Sequence, residues 1–134
     1  MRRLIVTDFL TLDGVMEAPG MEDHPTGRNA WALRFTDPEL ERHNQDQTYS
    51  AEAILLGRKT YEIWAAFWPT ASGDEVFARR MNEVPKYVVS RSLKDPAWAN
   101  TTVLSGDVAA EVAALKARAT ATSSATGAAS SSAS

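Results

Sequence analysis

Residues 53–62, AILLGRKTYE, decide how this chain is read. Ala53–Leu56 is a short apolar run of the length and composition of a buried strand. Gly57 breaks it, and Arg58-Lys59-Thr60 open a helix. A strand that runs straight into a helix is one half of a βα unit in an α/β sheet, where ligands gather beyond the carboxyl ends of the strands. The helix start carries free backbone N–H groups, the positive end of the helix dipole and two cationic side chains, a combination suited to an anion and above all to a phosphate. The plainer reading is a helix start with a solvated cationic first turn. Against it, cations in a first turn oppose the dipole, and a local conflict of that kind marks functional sites. The glycine spacing of a P-loop is absent.

Working outward, apolar runs alternate with helical patterns. Arg3–Leu10 reads as a first strand, and Thr11–Arg28, with three glycines and two prolines, as a long loop. Thr36 or Asp37 caps a helix whose first turn holds Pro38 and Glu39 and which runs to about Ser50. Ala53–Leu56 is the second strand and Lys59–Phe67 the helix after it, ended before Pro69. Asp74–Glu83 is a further helix, Lys86–Val89 a third strand after Pro85, and Thr102–Leu104 a fourth. Asp107 caps a last helix to about Ala117. This order predicts a three-layer α/β fold on a mostly parallel sheet with right-handed crossovers.

Composition sets the outer bounds. The chain has 134 residues, 44% hydrophobic and 23% charged, with a net charge of -3. That balance fits one globular domain and speaks against nucleic acid as a partner, since such binders carry a basic face. Without cysteine there is no disulfide, thiolate nucleophile or cysteine metal site. His24 and His43 are isolated, so no metal is expected. Met1-Arg2-Arg3 before Leu4-Ile5-Val6 has the look of an export signal, but Thr7 and Asp8 cut the apolar run short. No stretch has the roughly 20 apolar residues of a membrane span, and the expected location is cytoplasmic.

Two further stretches bear on chemistry. Val88-Val89-Ser90-Arg91-Ser92 closes the third strand; if strands two and three are parallel, Ser90 and Arg91 open on the same edge as Gly57 and offer a hydroxyl and a guanidinium to a second phosphate. Read alone, the same residues are a polar loop. Thr11-Leu12-Asp13-Gly14 is first a turn signal; with the long loop behind it, Asp13 and Gly14 are also candidates to border a substrate. Tyr61, Trp64 and Trp68 fall at helical spacing and read as core, with Trp64 also a candidate pocket wall. Glu39, Glu41 and Asp46 read as a solvated helix face.

Taken together, TLDGVMEAPG after the first strand, AILLGRKTYE with a following Trp68-Pro69, and KYVVSRSL resemble the dihydrofolate-reductase-like family. They are most similar to bacterial relatives of the reductase domain of the bifunctional deaminase-reductase of riboflavin biosynthesis. The resemblance spans about Met1 to Ala117. It implies NADPH as cofactor, with Gly57, Arg58, Lys59 and Thr60 at its phosphates and Ser90 and Arg91 near the adenosine 2'-phosphate. It places Leu12–Met16, with Asp13 and Gly14, beside the nicotinamide and substrate. Dihydrofolate reductases carry an acidic residue on the helix before the GR motif, roughly where Glu41 stands, so Asp13 and Glu41 are the candidate catalytic carboxylates. The implied activity is NADPH-dependent reduction of a small heterocycle, as by 5-amino-6-(5-phosphoribosylamino)uracil reductase or dihydrofolate reductase. A homodimer is one candidate assembly, which the sequence does not decide.

From Ala119 to Ser134 every residue is Ala, Ser, Thr or Gly. Such a segment cannot repay the entropy of ordering it and reads as a disordered tail, 118–134, behind a domain of residues 1–117. Family members continue instead with a strand, a glycine turn and a helix, so the fold is expected to be incomplete in its C-terminal half. A frameshift near Arg118 is the expected source of the departure: one codon choice for ATATSS, GCG ACG GCG ACA TCC TCG preceded by a G, read one base earlier encodes Gly-Asp-Gly-Asp-Ile-Leu. The alternatives to a reductase are therefore a non-catalytic truncated fragment and a phosphoanion-binding module without redox activity.

Overall fold

Short apolar runs and helical segments alternate along the chain and wind onto one sheet. The computed structural model describes residues 3–17, 19–20, 31–118 and, as backbone, 123–126. The elements are β1 (Leu4–Thr7), α1 (Pro38–Ser50), β2 (Ile54–Gly57), α2 (Arg58–Phe67), α3 (Glu75–Glu83), β3 (Lys86–Val89), β4 (Thr101–Leu104), α4 (Val108–Ala117) and β5 (Ser123–Thr126). The strand order is β1-β5-β2-β3-β4, and each adjacent pair is parallel. The α/β architecture read from the sequence is the one observed. Among the described residues no helix is long and apolar enough to cross a membrane.

Local chemistry explains the helix starts. Asp37 accepts hydrogen bonds from the N–H groups of Glu39 (2.9 Å) and Leu40 (3.0 Å), with Pro38 in the first turn. Asp74 accepts from Phe77 N–H at 3.0 Å, and Asp107 from Ala110 N–H at 3.3 Å. Each carboxylate satisfies a donor that the helix itself leaves unpaired. β1 is shorter than the Arg3–Leu10 run. Asp8 Oδ1 accepts the next residue's N–H at 2.8 Å, and the chain then folds into a turn closed by Gly14 N–H to the Thr11 carbonyl at 3.0 Å.

The segment expected to be disordered contains a surprise. Ser123–Thr126 form β5, inserted between β1 and β2. Composition argued against order because these residues offer almost no apolar side chain. A strand flanked on both sides, however, is held by two main-chain ladders, which ask nothing of the side chains. Residues 119–122 and 127–134 of the expected tail lie outside the described residues, as do His24 and Arg28.

The two faces of the sheet are covered unequally. On one, Ile54, Leu56 and Val88 pack with Tyr61 of α2, Met81 of α3, Val84 and Trp98 into the core, and Trp64, Trp68 and Phe77 lean against it. On the other, Leu55 and Tyr87 meet Val112 and Leu115 of α4. Right-handed crossovers require this split, since the chain advances from β1 to β4 on one side and returns to β5 on the other. The return face is thinly covered: Leu4 and Val6 stay exposed and α4 has no fully buried residue.

Lys86 sits on the densely packed face with its side chain fully buried. Its ammonium donates to the carbonyls of Met81 (2.9 Å), Asn82 (3.0 Å) and Val84 (2.8 Å), and lies 4.2 Å from the centre of the Trp98 ring. Three donors thus meet carbonyls at the end of α3 that have no helical partner, at the negative end of its dipole. Burial pushes the Lys86 pKa from 10.5 down to about 8. The folded state therefore holds the proton less tightly than the unfolded chain, and between about pH 8 and 10.5 stability rises with pH. The single-group ceiling on that slope is about 1.4 kcal/mol per unit. Lys86→Met is expected to abolish the rise and, by stranding the α3 carbonyls, to destabilise the protein at pH 7 by about 1–3 kcal/mol. Urea unfolding at pH 7.0 and 9.5 reads both effects, and an unchanged slope in the variant would remove Lys86 as its source.

Candidate functional site

The parallel sheet turns every strand's carboxyl end toward one edge. Gly57 of β2 stands opposite Val89 of β3. Arg58 and Ser90 therefore leave neighbouring strands at the same level. Asp8 follows β1 on the same edge, and Ser105-Gly106-Asp107 follows β4. The sequence motifs that were separate along the chain are brought together here by the register alone.

The start of α2 differs from those of α1, α3 and α4. Its N-cap is Gly57, in extended conformation and with no side-chain cap, and no acidic residue stands in its first turn. Gly57 brings no side chain to cap the leading N–H groups, as Asp37, Asp74 and Asp107 do for the other helices. Arg58 Nη1 donates to Glu62 Oε1 one turn further along, at 3.0 Å, while its buried Nε finds no acceptor. Lys59 points to solvent. Thr60 and Tyr61 are buried, so of the GRKT residues the backbone of the first turn and the two cations form the accessible surface.

Across from it, Ser90 is 1% exposed. Its Oγ accepts from the N–H groups of Ser92 (3.2 Å) and Leu93 (3.0 Å) and lies 3.4 Å from Ser92 Oγ. Ser90 thus builds the turn, while Arg91 and Ser92 form its exposed surface. Asp13 is exposed and accepts the Thr11 hydroxyl at 2.6 Å, and Thr11 Oγ1 in turn accepts Val15 N–H at 2.7 Å. Gly14 has φ 91°, a conformation that disfavours a side chain, so the Asp-Gly pair forms the turn its composition predicted.

The remaining candidates fall elsewhere. Trp64 is half-buried against the core. Glu41 is exposed on α1 and borders a cleft of about 360 Å³ with Phe67, Trp68, Asp74 and Phe77, in which Gln45 Nε2 donates to Asp74 Oδ2 at 3.1 Å. Among the described residues no three His, Cys, Asp or Glu side chains gather as metal ligands. Sequence reasoning passed over Asp8 as a mere end to the apolar run. Desolvation raises its pKa, only partly offset by the hydrogen bond from Phe9 N–H. The signal available was its place as the first polar residue beyond β1. Reasoning from sequence also passed over Lys86 and Trp98, whose roles depend on contacts that no spacing rule encodes.

No curated protein matches the chain. The RibD C-terminal domain model matches residues 2–126, from before β1 through β5. With its motifs on one edge of a parallel sheet and nearly its whole length matched, the chain belongs to the family of the RibD C-terminal domain, the reductase domain of riboflavin biosynthesis.

Proposed function

We propose that this protein is an NADPH-dependent reductase of a small heterocyclic substrate, of the kind that works on riboflavin precursors. The observation that carries the reading is the uncapped, cation-bearing start of α2 on the same edge as Arg91. The donor set suits a phosphorylated dinucleotide. The start of α2, with its dipole and the side chains of Arg58 and Lys59, would hold the pyrophosphate, and Arg91 with the Ser92 hydroxyl would read the 2'-phosphate. Ser90 would act one step back, by ordering the turn that presents them.

When bound, the cofactor supplies the hydride; the chain's own residues bind and orient. Arg58 must exchange its contact with Glu62 for a phosphate oxygen, an exchange between two charge-assisted partners. The Thr11–Val15 turn, fixed by its own hydrogen bonds, borders the substrate end and holds Asp13 at the edge. Asp8, whose pKa desolvation raises, is a further carboxyl on this edge.

Titration with NADPH, followed by tryptophan fluorescence, tests the reading. Saturable quenching with preference over NADH is expected. Arg91→Ala should weaken NADPH by about tenfold, the worth of one charge-assisted contact, and leave NADH nearly unaffected. Absence of saturable quenching would refute the assignment.

A second expectation concerns Glu62. Glu62→Gln frees Arg58 from its i,i+4 partner and should tighten NADPH about two- to fivefold at low salt, converging on the parent value as salt screens the exposed pair. Equal affinities at low salt would mean that Arg58 does not meet the phosphates.

A further inference from the structure

Parallel strands need a crossover, and the one from β3 to β4, residues 90–100, is made without a helix. It leaves the carboxyl edge at Ser90 and returns at Asn100, whose carbonyl accepts from Lys86 N–H at 2.8 Å at the opposite end of β3. Asp95 and Asn100 have φ of 51° and 58°, left-handed turn positions that Asp and Asn adopt more readily than other side chains.

Trp98 is the residue through which the core holds it. Trp98 is 4% exposed, its indole N–H donates to Asn82 Oδ1 at 2.6 Å, and its main-chain N–H donates to Tyr61 Oη at 3.2 Å. The Tyr61 and Trp98 rings lie 6.1 Å apart. Tyr61 belongs to α2 and directly follows the Arg58-Lys59-Thr60 turn, while the connection that Trp98 anchors begins with Ser90-Arg91-Ser92. One hydroxyl therefore joins the helix bearing the first cationic group to the segment bearing the second.

We propose that Tyr61 is a positioning residue. By accepting the Trp98 N–H, it locks the β3–β4 connection to α2 and so sets the span between the Arg58-Lys59 turn and Arg91. The lock is a property of the fold by itself; its consequence for ligand selectivity rests on the NADPH reading.

Tyr61→Phe keeps the ring and removes the acceptor, leaving a buried N–H without a partner. Without ligand, amide exchange at Ser92 and Leu93, the two N–H groups held by Ser90, should rise about fivefold or more. With ligand, the ratio of NADPH to NADH affinity should fall about three- to tenfold, through loss of a well-placed Arg91, with NADH itself within about twofold of the parent. Unchanged exchange at Ser92 and Leu93 would overturn the lock. Weakening of both dinucleotides by one factor would overturn its role in selectivity, because general loosening does not distinguish a 2'-phosphate. If the parent protein binds no NADPH, the cofactor reading falls while the exchange measurement still judges the lock. Should Tyr61→Phe fail to fold, exchange of the Trp98 amide in the parent protein judges the lock: it should be as slow as that of the β3 core amides, and exchange as fast as an exposed loop amide would overturn it.

Discussion

The pairing of β2 with β3 governs most of what this protein presents to its surroundings. Gly57 meets Val89 and Ile54 meets Lys86 in a parallel ladder. Because the ladder is parallel, both strands end at the same edge, and because it is in register, the residues that follow them emerge side by side. Slipping one strand past the other by a residue would turn either Ile54 and Leu56 or Val88 out of the core, so burial of those side chains holds the register. The same hydrophobic constraint therefore builds the core and aligns two polar motifs about 30 residues apart in the chain. Nothing in the polar residues themselves enforces that alignment.

The densely packed face is organised around an unusual guest. Lys86 occupies a position that the pleat assigns to the core, and it remains there because α3 ends directly beside it with three carbonyls to offer. Trp98 closes the site from the other side, on a connection that supplies apolar cover where a crossover helix would stand. A buried ammonium, a helix end and an indole thus satisfy one another, and removal of any one leaves a buried polar group unpaired. The return face has no comparable arrangement. Helix α4 on that face, VAAEVAALKA, has one acidic and one basic residue among alanines, valines and a leucine and supplies mostly methyl groups.

Much of this was legible from the residues in order. Asp37-Pro38 and Asp107 each announced a helix by a capping chemistry that acts within three residues, and both caps formed, while Asp74, read as the first residue of its helix, stands just before it as a third cap. Val-, Ile- and Leu-rich runs ended by Gly57 or preceded by Pro85 announced strands, and their alternation with helices announced parallel pairing. Ser90 shows the limit of such reading. Its place beyond a strand made it a candidate ligand group, yet its hydroxyl is consumed by two main-chain N–H groups of its own turn, leaving Arg91 and Ser92 exposed. Ser123–Thr126 show another limit, since the order of a flanked strand comes from its neighbours and leaves no mark in its own composition.

The sequence by itself determined the local elements, the α/β class and the nature of the two cationic motifs, because capping, periodicity and helix-end electrostatics act over three or four residues. The tertiary structure alone decided which residues face one another. The strand order placed β5 between β1 and β2, the register set Arg58 beside Ser90, and the packing joined Tyr61 to Trp98 and Lys86 to the end of α3. Those contacts link residues far apart in the chain. Their geometry is fixed by how the whole apolar surface is buried, a constraint that no short stretch of sequence contains.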